Sequence, residues 1–114
     1  MARTEYLRKA QAAAKTYLEM RNYEIVEQNW QQSKYKVDII AKKDGVLYFV
    51  EVKYRPGDNP SSTLDSVTTS QLKQIRLAAR AWVTQYKWLG DYKLSSVDID
   101  GANLAVLSFI DNEL

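Results

Sequence analysis

Apolar residues along the chain fall into two helical and five strand-like patterns. Over residues 4 to 21, Tyr6, Ala10, Ala13 and Tyr17 recur at helical spacing beside Leu7, Ala14 and Leu18. This spacing predicts an amphipathic helix with Thr4 as its N-cap. A strand follows over about Glu24 to Trp30. The stretch VDIIAKKDGVLYFVEVKYRP, residues 37 to 56, reads as two apolar-rich strands around an Asp44-Gly45 turn signal. Residues 55 to 66, RPGDNPSSTLDS, hold both prolines, a composition that predicts a mobile loop; such a loop can close over a substrate, but simple surface disorder is the commoner case. From Val67 to about Tyr86, the apolar positions Leu72, Ile75, Ala79, Trp82 and Tyr86 predict a second helix, with Gly90 as its stop. Strands over about Lys93 to Ile99 and Leu104 to Ile110 flank an Asp100-Gly101 turn signal. The order α-β-β-β-α-β-β gives an α/β fold, a central mixed five-stranded sheet flanked by two main helices. All of it reads as one domain over residues 1–114.

A two-residue turn at Asp44-Gly45 opposes Lys43 to Val46, Ala41 to Tyr48, Ile39 to Val50, Asp38 to Glu51 and Val37 to Val52. Val37, Ile39, Ala41, Tyr48, Val50 and Val52 then share one face, the expected core side, while Asp38, Glu51, Lys36 and Lys53 share the other. A four-residue turn would make the two acids diagonal neighbours on that same face. Directly opposed carboxylates have Cβ atoms about 4.5 to 5.5 Å apart and repel. A bound divalent cation would compensate, and so in part would Lys36 and Lys53. A solvated strand face balanced by those lysines is the simpler reading of the pattern alone.

Composition narrows the chemistry. The 114 residues include no Cys and no His, which removes disulfides, thiolate nucleophiles, imidazole acid/base catalysis and the usual zinc sites. Any metal must be held by oxygen, which favours magnesium or manganese. The longest fully apolar run, Val46 to Val50, is far too short to span a bilayer, so no membrane partner is expected. The Ala-rich, basic N-terminus contains Glu5 and Glu19 and lacks a secretory apolar core, and it reads as a structural helix. A cytoplasmic location is expected. Net charge is +2, yet residues 1 to 90 hold 15 Lys/Arg against 9 Asp/Glu and residues 91 to 114 hold 1 against 5. A basic body leaves nucleic acid open as a partner.

Asp38, followed after twelve residues by Glu51-Val52-Lys53 on a hairpin behind an N-terminal helix, resembles the PD-(D/E)xK motif of restriction-endonuclease-like nucleases. Within that superfamily the chain is most similar to the YraN family of small predicted nucleases, and more distantly to archaeal Holliday junction resolvases. Ala14, Tyr17-Leu18, Tyr23, Ile25, Asn29-Trp30, Val37 to Ile40, Phe49 to Lys53, Arg55, Val67, Ala79 and Val97 to Ile99 carry the likeness, over about residues 10 to 109. The resemblance implies a restriction-endonuclease-like fold, with Asp38, Glu51 and the Val52 carbonyl binding Mg2+ or Mn2+. It implies that Lys53 orients the attacking water or stabilises charge on phosphorus. The sequence departs from the family pattern at Gln11, where a glutamate is common, and at Tyr35-Lys36, where Gly-Glu is usual. Gln11 and Lys36 are therefore possible auxiliary residues, Gln11 through its amide oxygen.

The stripe Lys73, Arg76, Arg80 and Lys87 lies on a helix with no acid between Val67 and Gly90. It can track a phosphate backbone or be a solvated face, and Gln71 and Lys73 are expected nearest the metal site. Gln71, Lys73, Arg76 and Arg80 are the candidate nucleic-acid contacts. Trp30, Trp82 and Trp88 can stack on bases, but packing is the commoner use of such residues. Asp98 and Asp100 form a weaker metal candidate. The leading reading is a metal-dependent endonuclease acting on DNA, structured or branched rather than sequence-specific, as a possible homodimer. The alternative keeps the fold without catalysis, as a nucleic-acid-binding or protein-interaction module.

Overall fold

Each apolar pattern forms the element its period implies. The computed structural model describes residues 3–55, 69–101 and 103–110, with α1 (Arg3–Met20), β1 (Glu24–Gln32), β2 (Tyr35–Lys43), β3 (Val46–Arg55), α2 (Thr69–Tyr86), β4 (Tyr92–Asp100) and β5 (Val106–Ile110). The expected loop beyond Arg55, Val67 and the side chain of Thr4 lie outside the described residues. The strands form one sheet in the order β1-β2-β3-β4-β5. Neighbours are antiparallel except β3 and β4, which are parallel. A parallel pair needs a long crossover, and α2 lies in that connection.

The expected single core side gives way to two buried faces. Ala10, Ala14 and Leu18 of α1 pack on Ile39, Ala41, Tyr48, Val50, Val97 and Ile99. Ile75, Ala79 and Trp82 of α2 pack on Ile40, Leu47, Phe49 and Leu94. Residues 46 to 50 therefore bury both sides of β3, which is why they read as a continuous apolar run rather than an alternating one. The Phe49 ring meets Trp82 edge-on, centroids 5.8 Å apart.

Both helices end on a non-glycine residue in left-handed geometry, the Schellman arrangement. At α1, Asn22 has φ 70°, with Tyr23 N–H donating to Leu18 O and Asn22 N–H to Glu19 O, each at 3.0 Å. At α2, Lys87 has φ 55° and Trp88 N–H donates to Val83 O at 3.1 Å. Gly90 is thus not the helix stop. A Cβ at that position would meet the Trp88 ring at 2.8 Å, so glycine serves close approach there. Trp88 packs half-buried over α2, and its Nε1 donates to Asp91 O at 3.0 Å. Trp30 and Trp82 are core residues. β5 begins later than expected, because Leu104 takes φ 59° and its N–H turns back to Asp100 O at 2.8 Å.

Candidate functional site

The β2–β3 hairpin turns as its sequence predicts. Asp44 and Gly45 have φ 53° and 79°, the positive values a two-residue hairpin turn requires. Lys43 pairs with Val46, Ala41 with Tyr48 and Ile39 with Val50. Beyond Ile39 and Val50 the ladder ends, so Asp38 and Glu51 are not a laddered pair. β3 continues to Arg55 paired only with β4, and the two hairpin strands fork. Alternation fails at the same point. Val37 joins the α2-side cluster although Ile39 joins the α1-side cluster, and Asn29 on neighbouring β1 takes φ 52°. The expectation that Val37 shares a face with Ile39 is therefore corrected by a kink at Asp38.

A fork would leave β3 backbone groups without partners, and buried amides are costly to orphan. Asp38 supplies one: its Oδ2 accepts from Val52 N–H at 2.8 Å. In an extended strand the N–H and C=O of one residue reach toward the same neighbour, so the Val52 carbonyl also faces the fork. The other Asp38 oxygen, Oδ1, lies 3.4 Å from Gln11 Nε2 on α1. Burial pushes the Asp38 carboxyl above its usual range, against the lowering effect of the Val52 hydrogen bond and the Lys36 charge.

On β3, Val50, Val52 and Tyr54 pack toward α1, so Glu51 and Lys53 point to the α2 side. Lys53 Nζ donates to Gln71 Oε1 at 2.6 Å, tying the lysine to the first turns of α2. A cleft of about 440 Å³ opens between the helices at the fork, lined by Gln11 from α1, Lys36, Asp38, Glu51 and Val52 from the strands, and Gln71 from α2. Leu7, Val37, Ser70, Gln74 and Ile75 complete its wall. Leu7 belongs to the predicted apolar face but is 37% exposed here. Its spacing of four residues from Gln11, like that of Gln71 from Ile75, was the available signal.

Six of the predicted site residues thus share one cleft, and Lys53 touches its wall through Gln71. Lys73, Arg76 and Arg80 are exposed along α2 and do not line it. The β3–β4 register sets Ser96 beside Glu51 and buried Asp98 beside Lys53. Among the described residues, no three Asp, Glu, His or Cys side chains converge. Among the described residues, the side-chain oxygens lining the cleft are the Asp38 and Glu51 carboxylates, the Gln11, Gln71 and Gln74 amides and the Ser70 hydroxyl, with the Val52 carbonyl at its edge. No helix among the described residues is long and apolar enough to cross a membrane.

The model of the uncharacterised protein family UPF0102 matches residues 10–101. A UPF0102 protein of Chlorobium chlorochromatii is 39% identical over 77 residues, 68% of this chain and 60% of that relative. One from Cytophaga hutchinsonii is 32% identical over 90 residues, covering 79% of this chain and 80% of the relative. One from Vibrio parahaemolyticus is 30% identical over 88 residues, 75% of this chain and 73% of the relative. The chain accordingly spans less than two thirds of the Chlorobium protein, and more of the other two. With the family model covering most of its length, this chain belongs to the UPF0102 family.

Proposed function

We propose that this protein is a metal-dependent nuclease of the PD-(D/E)xK kind, similar to the YraN family, hydrolysing phosphodiester bonds of structured or branched DNA. The observation that carries the reading is the fork: Asp38, Glu51 and Val52 meet in one cleft, with Lys53 held at its wall. The donor set fits a magnesium or manganese ion, since among the described residues it offers carboxylate, amide, hydroxyl and backbone oxygens and no sulfur or imidazole. The raised affinity of Asp38 for its proton marks a buried negative charge that a cation would relieve. When bound, such an ion supplies Lewis acidity and a more acidic water.

The chain's own residues do the rest. Asp38 and Glu51 hold the negative charge that fixes the ion. Lys53 carries a positive charge into the site, where it stabilises charge developing on phosphate oxygens. Gln71 keeps the Lys53 ammonium from swinging into solvent. Gln11 is close enough to Asp38 to add an amide oxygen after a rotation of its side chain.

One observation favours the alternative of a binding module on the same fold: among the described residues two acids line the cleft, with Gln11 and Lys36 at the auxiliary positions. The two readings separate in a cleavage assay. Flap, junction and single-stranded DNA are incubated with Mn2+, Mg2+ or chelator, using wild type and Glu51→Gln. Metal-dependent cleavage lost in the variant supports the nuclease. Salt-sensitive binding with no cleavage in any metal sustains the module instead.

A further inference from the structure

Two grooves run on from the cleft, the first sharing residues with it and the second sharing residues with the first. The first is lined by Lys34, Tyr35, Lys73 and Leu77, and it meets the cleft at Ser70 and Gln74. The second continues past Tyr35 and Leu77 to Arg80. One wall is the β1–β2 hairpin end and the other is the face of α2. Among the described residues, no acid lines either groove, whereas Lys34, Lys73 and Arg80 line them with three cations. The Tyr35 ring is half-buried between them, with Lys34 Nζ 5.9 Å from its centroid.

From this we infer that the path Ser70–Tyr35–Arg80 is a binding track for one single strand of nucleic acid leaving the cleft. An extended strand can lay phosphates against Lys73 and Arg80 while a base stacks on Tyr35 over the apolar Leu77 floor. A positively charged groove with an interleaved aromatic suits unpaired bases of any sequence. Bases locked in a duplex present only their edges and leave the ring without a partner. Arg76, although on the same helix, lines neither groove and is outside the track. The inference rests on the proposed function for what happens in the cleft, but the track itself needs no catalysis.

The test is fluorescence anisotropy with labelled oligodeoxythymidine in EDTA, so that neither metal nor cleavage enters. Wild type should bind the single strand at least tenfold more tightly than a hairpin duplex of equal length. The double variant Lys73→Gln/Arg80→Gln should bind more weakly, with a log Kd against log salt slope flatter by about 1.4, at about 0.7 per lost phosphate contact. Tyr35→Leu, which keeps an apolar side chain in the wall, should weaken binding roughly 5- to 150-fold and leave the salt slope unchanged. Lys9→Glu, an exposed change on α1, should not alter binding beyond a small uniform shift. Circular dichroism confirms that each variant is folded. Track variants that bind like wild type, or a duplex bound as tightly as the single strand, would overturn the track. Absent cleavage with intact, track-dependent binding would overturn only the nuclease.

Discussion

Asp38 Oδ2 accepts the Val52 amide at 2.8 Å, so a side chain closes the gap where two strands of a hairpin have stopped pairing. The same carboxylate that secures the fork also faces the cleft. Structure and chemistry therefore compete for one group, and the consequences can be measured.

In metal-free protein the Asp38 carboxyl is raised above its ordinary value of 3.8 by burial. The folded state then holds this proton more tightly than the unfolded chain does. The associated stability is complete at pH below 3.8 and is lost as pH rises through the raised folded value. Asp38→Asn keeps an oxygen acceptor for Val52 and carries no charge. Urea denaturation in EDTA should find this component of the pH slope gone in the variant and the variant more stable than wild type at pH 7.

Asp38→Ala is a different change, because it removes the acceptor as well as the charge. The Val52 amide is left without its partner at a cost of about 1–3 kcal/mol. In EDTA at pH 7, Asp38→Ala should be less stable than Asp38→Asn by about that amount. Equal midpoints would show that the hydrogen bond does not hold the fork.

Gln11 lies 3.4 Å from Asp38, so Gln11→Glu would place a third carboxylate in the cleft. Affinity for hard cations rises with ligand charge. Manganese binding measured by calorimetry should tighten at least tenfold. Weaker binding would show that residue 11 is turned away from the ion.

Lys53 donates a hydrogen bond to Gln71, and under the proposed function the two act at different levels. Lys53→Met should lower cleavage by about 10²- to 10³-fold with little change in manganese affinity, as for loss of one transition-state partner. Gln71→Ala should produce a smaller loss, because the ammonium remains but is no longer held. Single-turnover rates under saturating metal measure both.

The hairpin was legible because an Asp-Gly turn signal sits between two short apolar-rich runs. Both helices were legible from their apolar spacing, and Trp82 declared itself by its place on the α2 stripe. What the pattern concealed is the break at Asp38. Alternation assumes an unbroken ladder, and nothing local signals that β3 exchanges its β2 neighbour for β4 alone. The helices end within a residue of the expected places, at Met20 and Tyr86, but the stop given to Gly90 was misplaced, because Lys87 takes the left-handed cap position usually given to glycine. Asp98 became part of the picture only through the β3–β4 register, a pairing separated in sequence by a whole helix.

The central claim, that the fork at Asp38 and Glu51 is a metal site, is tested most directly by titrating manganese into the purified protein by calorimetry beside Glu51→Gln. Saturable binding by wild type that disappears in the variant is the predicted result. No heat from wild type, or the same isotherm from both proteins, would contradict it.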